Sequence, residues 1–492
     1  MANTISSNST GLRYAEEVIG TPGTLPGSPV WNPLEPNSYG EFGPQVKTVA
    51  RNPINASRQR RKGVVTDLDA AAGFNSDFTQ KTFYDLMQGF MFADWREKPE
   101  LAVTSVDATT GFGVASGGAA FIVGSIVFGQ GFGVAANNGI KVVNAASGTA
   151  VDAPGTATEA SPPADAKITM VGFEGASADI TLTVSGGVAT LGCTAADFTD
   201  YGLIPGEWIW VGGDATANKF ATAANNGFYR IKTISATAIV FDRTPNSPVT
   251  DTGTGKTIRV FFGHVIKNES DPDLIVMRTY QLERSLAAGG NEYVLGCAAN
   301  TLAFDIKTAD KITVDLSFVG MDGETTDNGS EKAGTRPNLP KSNYAFNSSA
   351  DFTRLRLLDD TGGGSSLATY LSDLKLSIDN GITPAKAISQ LGAIDLTTGD
   401  FMVSGTVEAY FATTDAITAV RENDDVSLDF ALVAKNVGWL FDIPLITLGD
   451  ARLKVEKDKP IILPLSLDAA AHETLDHTML VGYYAYLPNA AQ

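Results

Sequence analysis

At 492 residues the chain is long enough for two to four domains, and a hydrophobic content of 43 % supports ordinary globular cores. Only 18 % of residues are charged, and 50 glycines and 22 prolines mark a β-rich, loop-rich chain rather than a helical one. The net charge of −19 argues against tight binding to nucleic acid or anionic membranes, yet is compatible with a channel through which DNA slides without sticking.

In chain order, residues 1–44 are rich in Ser, Asn, Pro and Gly but carry Trp31, Leu34, Tyr39 and Phe42. These anchors predict an extended arm that docks on a neighbouring subunit. No basic start or apolar run suggests a secretory signal. From Gln45 an alternating strand leads to the basic residues Arg58, Arg60, Arg61 and Lys62, expected to meet carboxylates of the next subunit. Residues 64–68 read as a strand. Ser76 or Asp77 then caps a helix to about Ala93, with Phe78, Thr82, Phe83, Leu86, Met87 and Phe90 at helical spacing.

Residues 101–255 interrupt this pattern and hold 23 of the 50 glycines. The uncharged stretch 108–140 has a strongly apolar part of about ten residues, too short to cross a bilayer. Residues 121–143 are similar to 203–231, and both contain AANNG (135–139 and 223–227), read as Asn-Gly hairpin turns. Two small β modules inserted as surface decoration are expected. Trp208 and Trp210 share one strand face, which core packing explains. Cys193 and Cys297 are expected to be buried free thiols, since two cysteines make neither a disulfide framework nor a zinc cluster.

The clearest strands follow. Tyr280, Leu282 and Arg284 begin one; residues 300–307 form a second with Leu302, Phe304 and Ile306 on one side; residues 312–319 form a third, apolar at Ile312, Val314, Leu316 and Phe318. A polar linker and a glycine-run loop (362–364) come next. The strand 374–379 then precedes Thr383-Pro384, a helix start signal for residues 384–393. At an offset of about 148 residues the first strands recur: 426–434 lies opposite 278–286, 452–455 opposite 304–307, and 461–467 opposite 313–319, while 407–411 lies opposite 259–262. The second half reads as a duplicate of the first.

The motif inventory offers no reactive site. Gly253-Thr-Gly-Lys-Thr257 ends like a phosphate loop, but Thr250 replaces its first glycine and no helix follows. His472 and His477 are five apart, off a common helical face, and His264 is the third and last histidine. Acidic pairs such as Asp67/Asp69 and Asp424/Asp425 read as solvated faces. No catalytic, cofactor or metal residue is assigned, no cofactor is implied, and no enzyme is expected.

Several stretches carry a resemblance: Tyr280-x-Leu-Glu-Arg284, Gly296-x3-Asn300, Leu316-Ser-Phe-Val-Gly-Met-Asp322, LKLSIDN (374–380), Gly392 and VSGTVEAYF (403–411). Across roughly 45–100 and 256–486 the chain resembles the tail tube (major tail) proteins of long, non-contractile-tailed bacteriophages, in a duplicated tube-domain form. The resemblance implies a mainly β chain of two tandem β-sandwich tube domains, each with a flanking helix, plus an inserted pair of small β-barrel or sandwich modules. The divisions are then an N-terminal arm (1–44), a discontinuous first tube domain (45–100 and 256–322), the insert (101–255), a linker (323–345) and a second tube domain (346–492). It also implies a structural virion protein, assembled in the host cytoplasm into stacked rings through which genomic DNA passes during ejection. With two tube domains per chain the ring would be a pseudo-hexameric homotrimer in preference to a homohexamer. Further implied partners are tape-measure and tail terminator or tip proteins, and double-stranded DNA in unspecific transit, with no membrane. The alternative is a β-rich surface adhesin or tail-tip protein binding host glycans, which a row of exposed Trp and Tyr in the insert would favour.

Overall fold

The computed structural model describes residues 6–54, 56–245, 247–287, 290–326, 330–340, 343–360, 365–368 and 370–492; the glycine run 362–364 lies outside them. The described residues are mainly β, joined into a 17-stranded sheet, a 13-stranded sheet and a two-stranded ladder, with two α-helices. Among them no helix is long and apolar enough to cross a membrane.

Six elements recur in one order. The first set is β1 (Pro36–Arg51), β2 (Arg61–Asp77), α1 (Tyr84–Met91), β3 (Thr279–Ser285), β4 (Asn291–Lys307) and β5 (Thr313–Gly320). The second is β6 (Leu371–Asp379), β7 (Met402–Tyr410), α2 (Asp415–Glu422), β8 (Val426–Ala434), β9 (Val437–Asp450) and β10 (Ile462–Ala469). Hydrogen-bonded neighbours run β1–β2–β5–β4–β3 in the first and β6–β7–β10–β9–β8 in the second. The registers also agree: Asp77 faces Thr313 as Tyr410 faces Ile462, and Tyr39 faces Phe74 as Leu374 faces Val407. A one-residue slip would turn every side chain to the wrong face, so matched registers mean matched cores.

The halves are joined rather than separate. β4 pairs antiparallel with β6, from Thr301 opposite Asp379 to Lys307 opposite Asp373, so one sheet runs across both. Beneath it lies a single apolar cluster in which Phe78 touches both Phe304 and Trp439, with ring centroids 5.2 and 5.4 Å apart, and Phe304 meets Phe441 at 5.1 Å.

Several expectations are corrected by this pairing. Ser76 and Asp77 stay in β2 because β5 pairs with them, so α1 begins only at Tyr84 and ends at the left-handed Phe92. No helix covers 384–393. Thr383–Ala385 instead pairs with Asp395–Thr397, because the residue before proline is pushed to extended backbone and Gly392 turns at φ +91°. The helix of the second half is α2, after β7, where α1 follows β2. Thus 407–411 matches β2, not 259–262. Arg259–Phe261 belongs to the insert, pairing with Lys167–Glu174 and Trp208–Val211. The expected strand at 452–455 is reduced to a single bridge, Lys454 with Ile462.

The N-terminal anchors are used within the chain. Gly11–Glu16 pairs with β3, and Trp31 is fully buried beside Tyr293 with its Nε1 donating to the Ala333 carbonyl (3.1 Å). The expected linker is also built in. Asp322–Thr326 pairs with β4, and Arg336 bonds Glu283 (2.7 Å).

The insert sits between α1 and β3, where the second half has only three residues between its helix and strand. Its internal repeat is real in three dimensions. In each copy one asparagine closes a loop from both sides: Asn138 accepts from the Phe132 N–H and donates to the Phe132 carbonyl, as Asn226 does with Phe220. The preceding Asn137 and Asn225 are buried and accept from the Ala157 and Val249 N–H groups. AANNG is therefore a 3-10 turn with a side-chain clamp, not a two-residue hairpin; the asparagines keep negative φ and only the glycines turn positive.

The insert also shares a core with the second half. Trp208, Phe228 and Phe261 pack with Leu440, Leu480 and Tyr484, and the Tyr486 ring lies tilted against Phe128 (centroids 5.1 Å apart). Across this seam the buried Arg230 holds Asp442 (3.0 Å), which also accepts from Trp208 Nε1 (2.9 Å). Arg354 and Asp429 form a second buried pair beneath the Trp208 ring.

Candidate functional site

Two surfaces stand out from this scaffold. The first is the solvent face of the joined sheet. Strand alternation sends Leu302, Phe304 and Ile306 of β4 into the core, and Thr301, Ala303 and Asp305 to the opposite side. Register carries the same face across the neighbouring strands: Asn75 and Asp77 of β2, Asp315 and Ser317 of β5, Asp373, Lys375, Ser377 and Asp379 of β6, Ser404, Thr406 and Glu408 of β7, and Ser466 and Asp468 of β10. The face is concave around Ala303, Lys375, Ser404 and Thr406.

Its charge is one-sided. Lys307 pairs with Asp305 (2.5 Å), Lys311 with Asp77 (2.7 Å) and Lys454 with Glu408 (2.5 Å). Lys386 Nζ bonds both Asp67 and Asp69, holding these carboxyls below the ordinary range. Asp315, Asp379 and Asp468 make no ion pair among the described residues, so carboxylates outnumber the lysines of the face, Lys375 included, and the rest is mostly Ser, Thr, Ala and Gly with Asn75.

The second surface is the β1–β2 hairpin, whose outer part projects beyond the body. Val46, Val49, Ile54, Val64 and Val65 are exposed on it, and Arg51, Arg58, Arg60, Arg61 and Lys62 cluster at its tip. Five exposed apolar side chains thus lie beside five cationic ones on an otherwise acidic chain.

The weak motifs resolve as structure. Residues 253–257 form a loop in the insert, Gly253 turning at φ +62°. His472 Nδ1 accepts from the Thr474 and Leu475 N–H groups, while His477 is buried against the Leu475 carbonyl. No metal-ligand cluster occurs among the described residues, and Cys193 and Cys297 are free and buried. Trp208 is buried in the seam, and Trp210 packs on Phe228 (4.9 Å), so neither offers an exposed sugar platform. The joined polar face was missed by sequence reading because β4–β6 pairing is set by tertiary packing, although each strand's alternation was visible.

A family model described as phage tail tube protein matches residues 7–469. The chain belongs to the phage tail tube protein family. This is a structural family, so the chain is a structural component of the virion tail. No curated protein matches the sequence. For a tail tube protein, the match ends at residue 469, just before Leu480–Tyr484 and the C-terminal residues that grip the insert: Asn489 donates to Asp214 (3.1 Å) and the Tyr484 hydroxyl to the Trp208 carbonyl (2.7 Å).

Proposed function

We propose that this tail tube protein closes as a trimer into a pseudo-hexameric ring, that rings stack into a hollow tube, and that the acidic sheet face lines the channel for genomic DNA. The observation that carries this reading is the pair of matched strand sets joined edge to edge into one sheet with a single acidic, small-residue face. Two equivalent units per chain make three chains equivalent to six. Carboxylates deny phosphates a binding site, and short hydroxyl side chains offer no anchor, so DNA passes without sticking. The adhesin alternative lacks its supporting feature, since no row of exposed aromatics occurs in the described insert residues.

Ring stacking falls to the outer part of the β1–β2 hairpin, beyond residue 45, rather than to the segment before β1, whose anchors Trp31 and Leu34 are buried in their own chain. Its basic tip complements the acidic body of a second copy, and its valines gain a cover. Charge reversal at Arg60, Arg61 and Lys62 to Glu leaves the fold intact, because all three are exposed. Negative-stain microscopy is expected to show rings or short stacks in place of long tubes. Tubes of normal length from this variant would remove the hairpin from the stacking contact.

A further inference from the structure

The intrachain β4–β6 junction has a vacant counterpart at the two ends of the repeated sheet. In the junction, Phe304 faces Leu376 and Ile306 faces Leu374, and all four are buried. The repeat maps each side onto a surface that lacks this partner. On one side, Leu374 and Leu376 correspond to Tyr39 and Phe42 of β1, by the pairs Leu374–Val407 and Tyr39–Phe74, and Leu376–Gly405 and Phe42–Ala72. Among the described strands β1 bonds to β2 alone, and Tyr39 and Phe42 are half-buried rather than buried.

On the other side, the distal part of β4 corresponds to residues 451–455. Asp305 faces Thr313 in the first half, and Lys454 bridges Ile462, the equivalent of Thr313, in the second. Phe304 and Ile306 thus correspond to Leu453 and Val455. These two are exposed, 38 % and 69 %, where their counterparts are buried. Asp450 and Ala451 both take left-handed backbone, φ +68° and +63°, and insert one extra residue relative to the first half. Such a bulge ends the strand and blunts the edge, as expected of an edge that must not pair at random.

Resting on the tube reading, we propose that residues 451–455 of one copy pair antiparallel with residues 38–44 of a second copy, repeating the register of the intrachain junction. Leu453 then faces Phe42 of the second copy and Val455 faces its Tyr39. The contact is heterologous, so it generates a ring when the rotation closes. It places the same acidic face on both sides of the seam and buries the apolar residues that each edge leaves uncovered.

The test is a Tyr39→Cys/Val455→Cys chain, assembled and then oxidised with diamide. Directly opposed antiparallel residues have Cβ atoms about 4.5–5.5 Å apart, close enough for a disulfide after small shifts. Covalent oligomers are expected on a non-reducing gel, and none from a Val49→Cys/Val455→Cys control, which is ten residues out of register. A Leu453→Asp chain is expected to lose ring formation while keeping the wild-type unfolding temperature. Wild-type rings seen by microscopy, together with failure of the in-register pair to link or with wild-type assembly of Leu453→Asp, would overturn this register and leave the tube reading standing. Absence of any ring or tube from the wild-type chain would overturn the tube reading, and this contact with it.

Discussion

Replacing Asp442 by alanine is expected to destabilise the chain by about 3–5 kcal/mol, the usual cost of removing one partner from a buried ion pair. Asp442 is fully buried, and its two carboxylate oxygens accept from Arg230 Nη1 (3.0 and 3.1 Å) while Oδ2 also accepts from Trp208 Nε1. Without it the buried guanidinium keeps only Asp242, bonded through Nε (3.0 Å) and Nη2 (3.1 Å), Nη1 is left unpaired, and the indole N–H loses its acceptor. Chemical denaturation checks the size. An Arg230→Met/Asp442→Leu chain is expected to recover much of the loss, since no charge is then left buried. Because Arg230 and Trp208 lie in the insert and Asp442 in β9, the same seam predicts the outcome of removing residues 101–255. That deletion exposes Leu440, Leu480 and Tyr484 along with an unpaired carboxylate, and is expected to yield insoluble protein. A soluble deletion chain that unfolds like the wild type would show the insert to be dispensable decoration.

The second large effect is a loss of stability in acid. His477 is pushed down to about 3, chiefly by burial, with Lys267 and Arg230 adding positive charge nearby. His264, also buried, is pushed down to about 4 and contacts the Tyr84 hydroxyl through Nδ1 (3.1 Å). A histidine held neutral in the fold binds its proton more readily when unfolded. Its contribution is therefore complete above about pH 6.5, and is lost as pH falls towards the folded value. For His477 this amounts to about 5 kcal/mol, and for His264 to about 3 kcal/mol, both lost by about pH 3. A His477→Gln chain is expected to show a shallower fall of unfolding free energy between pH 6.5 and 4 than the wild type. Equal slopes would show that His477 is not held neutral.

The strands of the sheet were legible wherever alternation was strong, as at Leu302, Phe304, Ile306 and Val314, Leu316, Phe318. The repeat was legible through its offset, because β3, β4 and β5 each have a partner near 148 residues on. What failed was local signal without tertiary support. Thr383-Pro384 reads as a helix start, yet the same residues suit an extended strand, and Gly392 closes the turn. α2 escaped notice because it is only eight residues long and its apolar stripe is slight, Ala416 and Ala419 buried with Ile417 and Val420 half-buried beside them. The AANNG copies were found but misread, since the clamp from Asn138 to Phe132 depends on side-chain geometry that a turn dipeptide does not announce. The docking of the insert left no trace in sequence. Asp442 reads there as one polar residue in an apolar strand, and its partner Arg230 is 212 positions away.

The most direct measurement is electron cryomicroscopy of the assembled wild-type tube at a resolution that traces β4 and β6. Three chains per ring, with Asp315, Asp379 and Asp468 facing the channel and the hairpin tip reaching the next ring, are the expected result. Six chains per ring, or a channel lined by the insert, would contradict it.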